Sequence, residues 1–376
     1  GSGHGTFRPG DARGAGRVNR PIFIVLAEGK LGLETSKTAA STIRYLPDRV
    51  AAVIDSEHAG RTSQEVLGLG GDIPVVASLA AALADPATSP QALLVGVANR
   101  GGTIPPEHRP VLFEAVEAGL DVWGGLHERL ADDDELVARA RQRGVRLVDL
   151  RDPPADLPVG TGLALGTDAF RVLTVGTDCN VGKMTASLEI RAALRERDVE
   201  ARFAATGQSG IVIDGAGIPV DAVVSDFVSG ATERITLEAA EGADVVLVEG
   251  QGSLFHPGYS AVTLGLLHGS MPHAMILCWM PGRKHVYAGG YDWVEIPTPA
   301  EAIAAYEEAM RWAAPQLNSR VIGLSANTYD LAEDEARRVV EEAGEATGLP
   351  STDPVRFGAG ALADAVEEAW KTSARG

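Results

Sequence analysis

Residues 172–188 read VLTVGTDCNVGKMTASL. An apolar, β-branched run, a glycine-bearing turn with a lysine, and a run of helix formers describe a strand, a loop and a helix in direct succession. Gly176 and the pair Gly182-Lys183 frame the loop. Loops of this kind curl successive backbone amides around phosphate oxygens at a helix N-terminus, and the lysine adds a point charge. The common pattern has about four residues between its glycines. Here there are five, Thr177, Asp178, Cys179, Asn180 and Val181. Met184 stands where the pattern carries a hydroxyl that holds Mg²⁺, and a thioether is too soft for a hard cation. Thr185 follows, but on a helix it points about a quarter-turn away. The stretch therefore predicts binding of a diphosphate and puts magnesium-dependent phosphoryl transfer in doubt. Cys179 has two readings, a small residue filling the turn or a thiolate able to carry an acyl group.

On either side of this loop the chain alternates apolar runs with helical stretches. Before it come PIFIVLAEG, SKTAASTIRYL, RVAAVID, ALLVGVAN, VLFEAVEAGL and DVWGGL. After it come DVEARFAATG, DAVVSD, DVVLVEG, AMILCW and RVIGLSANT, each read as a strand or its approach. The rhythm predicts an α/β chain with two doubly wound, mainly parallel sheets. Several strands end in Gly, Asp or Asn, at Gly29, Asp55 and Asn99, where ligands meet such sheets. The proline- and glycine-rich stretch RDPPADLPVGTGLALGTDAF reads as a connector. The expected organisation is a tag remnant and mobile arm over residues 1–20, a first domain over 21–150, a connector over 151–168 and a second domain over 169–376. The run ADDDE at 131–135 opens a helix and complements its dipole. The loop also has an echo, VLAEGKLGLETSKTAASTI, which strand-to-helix turns produce by convergence as well as by duplication; Lys37 is not counted as a phosphate ligand.

The 376 residues are 45% hydrophobic, enough for two cores. A formal charge of -18 removes the electrostatic basis for nonspecific nucleic-acid binding. No apolar run has the length of a membrane span. The two cysteines, Cys179 and Cys278, lie in unrelated segments, and Cys278 reads as core. The expected setting is cytoplasmic, without nucleic acid or membrane partners.

A second motif supports the first. DVVLVEGQGSL is an apolar strand that delivers Glu249 at its carboxyl end, where it would stand beside the phosphates. Asp226, in VVSDFVSG, reads as the end of another apolar strand, able to orient a ligand or act as a base, or else as a helix cap. The longer loop with Thr-Asp after its first glycine, together with Val-Glu-Gly, resembles dethiobiotin synthetase and its relatives. The run from GTDCNVGKMTASLEI through FAATGQSGIVI, DFVSGATE and VEGQGSLFHPGYSAVTLGLLHGSMPHAMILCWMPGR is similar to a bacterial family of D-glutamate N-acetyltransferases, long catalogued as of unknown function. The resemblance covers Ile22 to about Gly360 and is most specific over residues 172–283. It implies a Rossmann-like first half, a P-loop second half, acetyl-CoA as cosubstrate, and a pathway partner of the enolase superfamily.

Thioester chemistry accounts for the missing hydroxyl, because a loop that only grips the CoA phosphates moves no phosphoryl group. Such an enzyme needs a base for the amine, donors for an oxyanion and cations for the acceptor carboxylates. The stretch 253–285 holds His256, His268, His273 and His285, half of the chain's eight histidines, with Arg283 and Lys284. His256 joins Glu249 and Asp226 as a candidate catalytic residue, and Arg283, His268 and His285 are candidates for the acceptor. Any one histidine taken alone reads more readily as a structural or merely exposed residue, and it is the cluster, directly after the Glu249 strand, that points to function. No compact zinc motif is present and neither cysteine is near the histidines in sequence, so no metal site is expected. Analogy with related P-loop enzymes adds Gln208 and Asn327 as cofactor ligands. Three functions are thus open: acetyl transfer to an amino acid, preferably D-glutamate; an ATP- and Mg-dependent ligase or kinase; and a nucleotide-sensing regulator. A homo-oligomer is expected in each case.

Overall fold

Six short strands, β1 (Phe23–Leu26), β2 (Val50–Ile54), β3 (Val75–Val76), β4 (Ala92–Val95), β5 (Asp121–Gly124) and β6 (Leu147–Asp149), form a sheet in the order β3-β2-β1-β4-β5-β6. All five pairings are parallel. This computed structural model describes residues 20–33, 35–85, 88–97, 101–287 and 289–373, so Asn99 and most of the expected arm lie outside the described residues. Strands β1 and β4 are apolar throughout, FIVL and ALLV, and fully buried. A strand covered on both faces has no polar side to alternate with. Winding reverses between β1 and β4, which opens a crevice at the carboxyl ends of the strands.

The second sheet repeats the plan with β7 (Phe170–Gly176), β8 (Ala201–Ala204), β9 (Val245–Val248), β10 (Ala274–Trp279), β11 (Arg320–Ala326) and β12 (Ser351–Thr352), in the order β12-β11-β10-β7-β9-β8. These pairings are parallel too. The two-sheet α/β expectation holds. Strand β7 is central and its loop opens at the switch in winding, between β10 and β9.

The chain divides into two compact units, and the division is not simply sequential. The first contains the chain to Pro154 together with Gly207–Ala222; the second contains Ala155–Thr206 and everything from Val223. Within the first unit, Ser209 Oγ lies 3.2 Å from Thr38 Oγ1, and Arg151 pairs with Asp221 at 2.8 Å. The helix Gln208–Asp214 buries Ile211, Val212 and Ile213 there. DAVVSD is not a strand. It forms two short 3-10 turns, Val220–Ala222 and Ser225–Phe227, because this stretch leaves one unit for the other and never reaches a sheet edge.

In the second unit the connector crosses the helix Val228–Ala240 at Gly230, where an added Cβ would lie 1.8 Å from the Pro158 carbonyl oxygen. One turn on, the Glu233 carboxylate accepts the amides of Thr161 and Leu163, the latter at 2.7 Å. At the amino ends of the strands, buried Arg171 donates to the carbonyls of Ser270 and Met271, which end the helix Ser260–Ser270. His273 stacks on Phe170 at 5.0 Å and its Nδ1 accepts the Arg171 amide. ADDDE opens a helix as expected, with Asp134 and Glu135 in the first turn of Asp134–Arg143, and Asp133 adds a cap by accepting the amides of Glu135 and Leu136.

Candidate active site

The loop leaves β7 at Gly176 and enters the helix Lys183–Arg195. Gly182 caps that helix at φ 96°, a left-handed conformation that costs glycine little and turns the following amides toward the cradle. Lys183 is 7% exposed, and its Nζ donates to the Asp178 carbonyl at 2.7 Å. Burial pushes its pKa down, opposed by the nearby Cys179, Cys278 and Asp178. Its stem passes over Gly250, where a Cβ would lie 2.9 Å from Lys183 Cδ and 1.7 Å from the Thr174 carbonyl oxygen. A glycine after Glu249 is therefore required chiefly by the fixed Thr174 carbonyl of β7, with the lysine stem as a second, more yielding neighbour. Met184 is buried, and Thr185, one position on, is only half-buried.

Two hydroxyls hold the loop's first residue. The Gly176 carbonyl accepts from Tyr306 at 2.7 Å and from Ser253 at 2.9 Å, while the Tyr306 oxygen accepts the Leu254 amide at 3.2 Å. Burial pushes the Tyr306 phenol up to about 12, so it stays a donor at any working pH. Tyr306 lies on the amphipathic helix Pro299–Ala313, far along the chain, and nothing local in the sequence marks it. Ser253 lies inside the quoted acidic-strand stretch but carries no motif signal of its own.

Asp178 is fully buried and ties down the segment 283–287. Its Oδ2 accepts Arg283 Nη1 at 3.0 Å and the Tyr287 amide at 2.7 Å, and its Oδ1 accepts the Cys179 amide at 2.6 Å. Arg283 Nη1 also donates to the Cys179 carbonyl at 2.8 Å. The guanidinium expected to hold an acceptor carboxylate is thus already paired with the loop. His256, fully buried, donates from Nε2 to the Tyr287 carbonyl at 2.7 Å and accepts the Gly258 amide at Nδ1, 3.1 Å away. Both ring nitrogens are committed, so accepting a proton requires it to give up the Gly258 amide.

The fold brings Cys179 to the histidine that sequence distance kept apart from it. Ligand atoms of Asp178, Cys179 and His256 lie within 4.8 Å of one another. The neighbours decide what this group favours. Asp178 and His256 are spent on protein donors and acceptors, and two cations, Arg283 and Lys183, stand beside them, so the surroundings favour an anion over a divalent cation.

Glu249 also belongs here, its Oε2 accepting the Thr206 amide at 2.9 Å. Asn327 follows β11, with its Cβ 3.9 Å from where a Cβ on Gly182 would be. Asp226 is exposed on its 3-10 turn and does not cap the following helix, whose N-cap is Phe227. His285 is exposed and pairs with Glu295 in a single bridge. His268 lies in the last turn of the helix Ser260–Ser270, at the opposite end of the sheet from the loop. Gln208 sits in the first unit, its side chain against Gly125 and its amide oxygen 3.5 Å from Arg151 Nη1.

Comparison with known proteins matches this architecture. Residues 158–363 match the family model described as "Domain of unknown function (DUF1611_C) P-loop domain", and residues 56–153 match "Domain of unknown function (DUF1611_N) Rossmann-like domain". A protein named D-glutamate N-acetyltransferase from Tritonibacter scottomollicae is 40% identical over 284 residues, 74% of this chain and 82% of the relative. One of the same name from a Pseudoalteromonas species is 37% identical over 265 residues, 70% and 78% of the two chains. A crystal structure of a DUF1611 family protein from Anabaena variabilis superposes with a TM-score of 0.86 at 38% identity, over 93% of this chain and all of that one.

Proposed function

The chain belongs to the DUF1611 family, and on that premise we propose that it moves an acetyl group from acetyl-CoA to the amino group of D-glutamate, with the loop Gly176–Lys183 holding the donor's phosphates. The protein is an N-acetyltransferase, as its relatives at 37–40% identity are named. The donor, the acceptor and the task of the loop are the parts proposed.

One observation carries the proposal. Lys183 is a nearly buried ammonium whose hydrogen bond goes to a backbone carbonyl, not to a carboxylate. The nearby Asp178 carboxylate is already spent on Arg283 and two backbone amides, and burying an ammonium with only a shared counter-charge is costly. A phosphate at this helix N-terminus supplies a further one, and the helix dipole favours it. The position that holds Mg²⁺ in phosphoryl-transfer loops is filled by the buried Met184, which suits a loop that grips phosphates and does not move them.

In this reading Gly176 and Gly182 shape the cradle, Lys183 binds the diphosphate, and Asn327 borders the nucleoside end. Arg283 and His256 hold the segment 283–287 against Asp178. Glu249, directly after β9, and Asp226, on the turn before the helix Val228–Ala240, are the carboxylates offered as acid–base groups. A pantetheine arm separates the thioester from the diphosphate by many bonds, so the amine's base need not touch the loop. With this reading go a homo-oligomeric state and a partner enzyme of the enolase superfamily. Incubation with acetyl-CoA and either glutamate enantiomer tests it: N-acetyl-D-glutamate by mass and chiral chromatography is the expected product. Acetylation of a different amine, with glutamate untouched, would replace the acceptor.

A further inference from the structure

Two stretches of the second unit stand against the phosphate loop and carry most of the exposed aromatic surface. Of the five tyrosines and tryptophans exposed among the described residues, Tyr259, Tyr287 and Trp293 fall here, and only Trp312 and Tyr329 elsewhere. The two stretches are built around His256. Its ring centroid lies 4.6 Å from that of Tyr259 and 4.7 Å from that of Tyr291, and its Nε2 donates to the Tyr287 carbonyl. At Gly258 an added Cβ would lie 2.9 Å from the Tyr291 hydroxyl, so the stretches touch there. The second stretch folds back on itself: the Val286 amide donates to the Val294 carbonyl at 3.2 Å and the Ile296 amide to the Lys284 carbonyl at 2.9 Å. Trp293 is held by its edge, Nε1 donating to the Gly290 carbonyl at 3.2 Å, yet the residue is 73% exposed. A fixed ring left in water forgoes the burial that would offset its ordering, which marks it as surface kept for a ligand.

The phosphate loop meets different neighbours at its two ends. Gly182 faces Asn327, while Asp178 and Cys179 hold the stretch 283–287 and approach His256. A diphosphate lying along the loop, with its nucleoside toward Asn327, sends the group on its other side toward the rings. Lys183 and Arg283 complement phosphate charge, whereas the rings offer neutral, apolar faces. The ligand that fits is polyanionic at the loop and uncharged along the rim.

We propose that Tyr259, Tyr287 and Trp293 form the wall that takes the pantetheine arm of acetyl-CoA, and that through them the protein distinguishes this donor from a nucleotide with the same phosphates. The proposal rests on the acetyl-transfer reading and concerns the second unit alone. The arm's dimethyl group and amides pack on the indole and phenol faces, which offer large contact area at little cost in side-chain freedom.

Isothermal titration of the full chain with acetyl-CoA and with 3′-phosphoadenosine 5′-diphosphate, the same nucleotide without its arm, tests this wall. Wild type is expected to bind acetyl-CoA the more tightly. Trp293→Ala and Tyr287→Ala are each expected to weaken acetyl-CoA binding about tenfold and binding of the armless nucleotide by less than about twofold, with Trp293→Phe close to wild type. Equal affinity of wild type for the two ligands, or equal losses on both in the variants, overturns the wall. So does an alanine variant of unchanged affinity that sediments as a smaller assembly, which gives the rim to a contact between copies. A wild-type chain that does not bind acetyl-CoA at all removes the acetyl-transfer reading itself, and the wall's task with it.

Discussion

Lys183 and Arg283 show how far single residues could be read before the fold was known. The lysine sits in a local motif, because strand, loop and helix N-terminus are contiguous, so its place in the cradle was legible. Lys183→Ala is expected to weaken CoA binding at least tenfold, equivalent to about 1.4 kcal/mol, by isothermal titration. Binding within about threefold of wild type would make the loop vestigial. Arg283 was legible as a cation near the site but not in its partner, since Asp178 lies 105 residues away and no pattern links them. Its guanidinium serves Asp178 and the Cys179 carbonyl at once, which a lysine cannot reproduce. Arg283→Lys is therefore expected to raise the donor KM more than the acceptor KM. A rise confined to the acceptor would return Arg283 to the acceptor pocket.

Strands and helices were legible where the apolar run was long and central, as in β7, β9 and β10. The segment DAVVSD failed because a short apolar run does not show whether a sheet edge is available to it. His268 and His256 were grouped by sequence, yet the helix Ser260–Ser270 carries one away from the loop while the other stays beside it. At that far end His273 makes a prediction. Burial, and then the Arg171 charge, push its pKa down from 6.5 to about 4. The unfolded chain binds this proton below its ordinary pKa, and the folded chain only near 4. The contribution of His273 is thus fully present above about 6.5 and is lost as pH falls toward 4. Melting temperature should fall across that window, and less steeply for His273→Gln, which keeps an acceptor for the Arg171 amide. Parallel curves for the two proteins would show that His273 titrates normally.

At the scale of the molecule, the doubling of the α/β plan was readable from its rhythm, and the exchange of Gly207–Ala222 between units was not, because a chain crossing leaves no periodic trace. No helix among the described residues is long and apolar enough to cross a membrane. The central claim is that this phosphate loop grips a thioester donor and performs no phosphoryl transfer. It is tested most directly by following thiol release from acetyl-CoA with D-glutamate, L-glutamate or no acceptor, each with and without EDTA, alongside ATP hydrolysis with Mg²⁺. The account predicts release that depends on the amino acid and is indifferent to the chelator. Formation of ADP or phosphate that requires Mg²⁺, without thiol release, would contradict it.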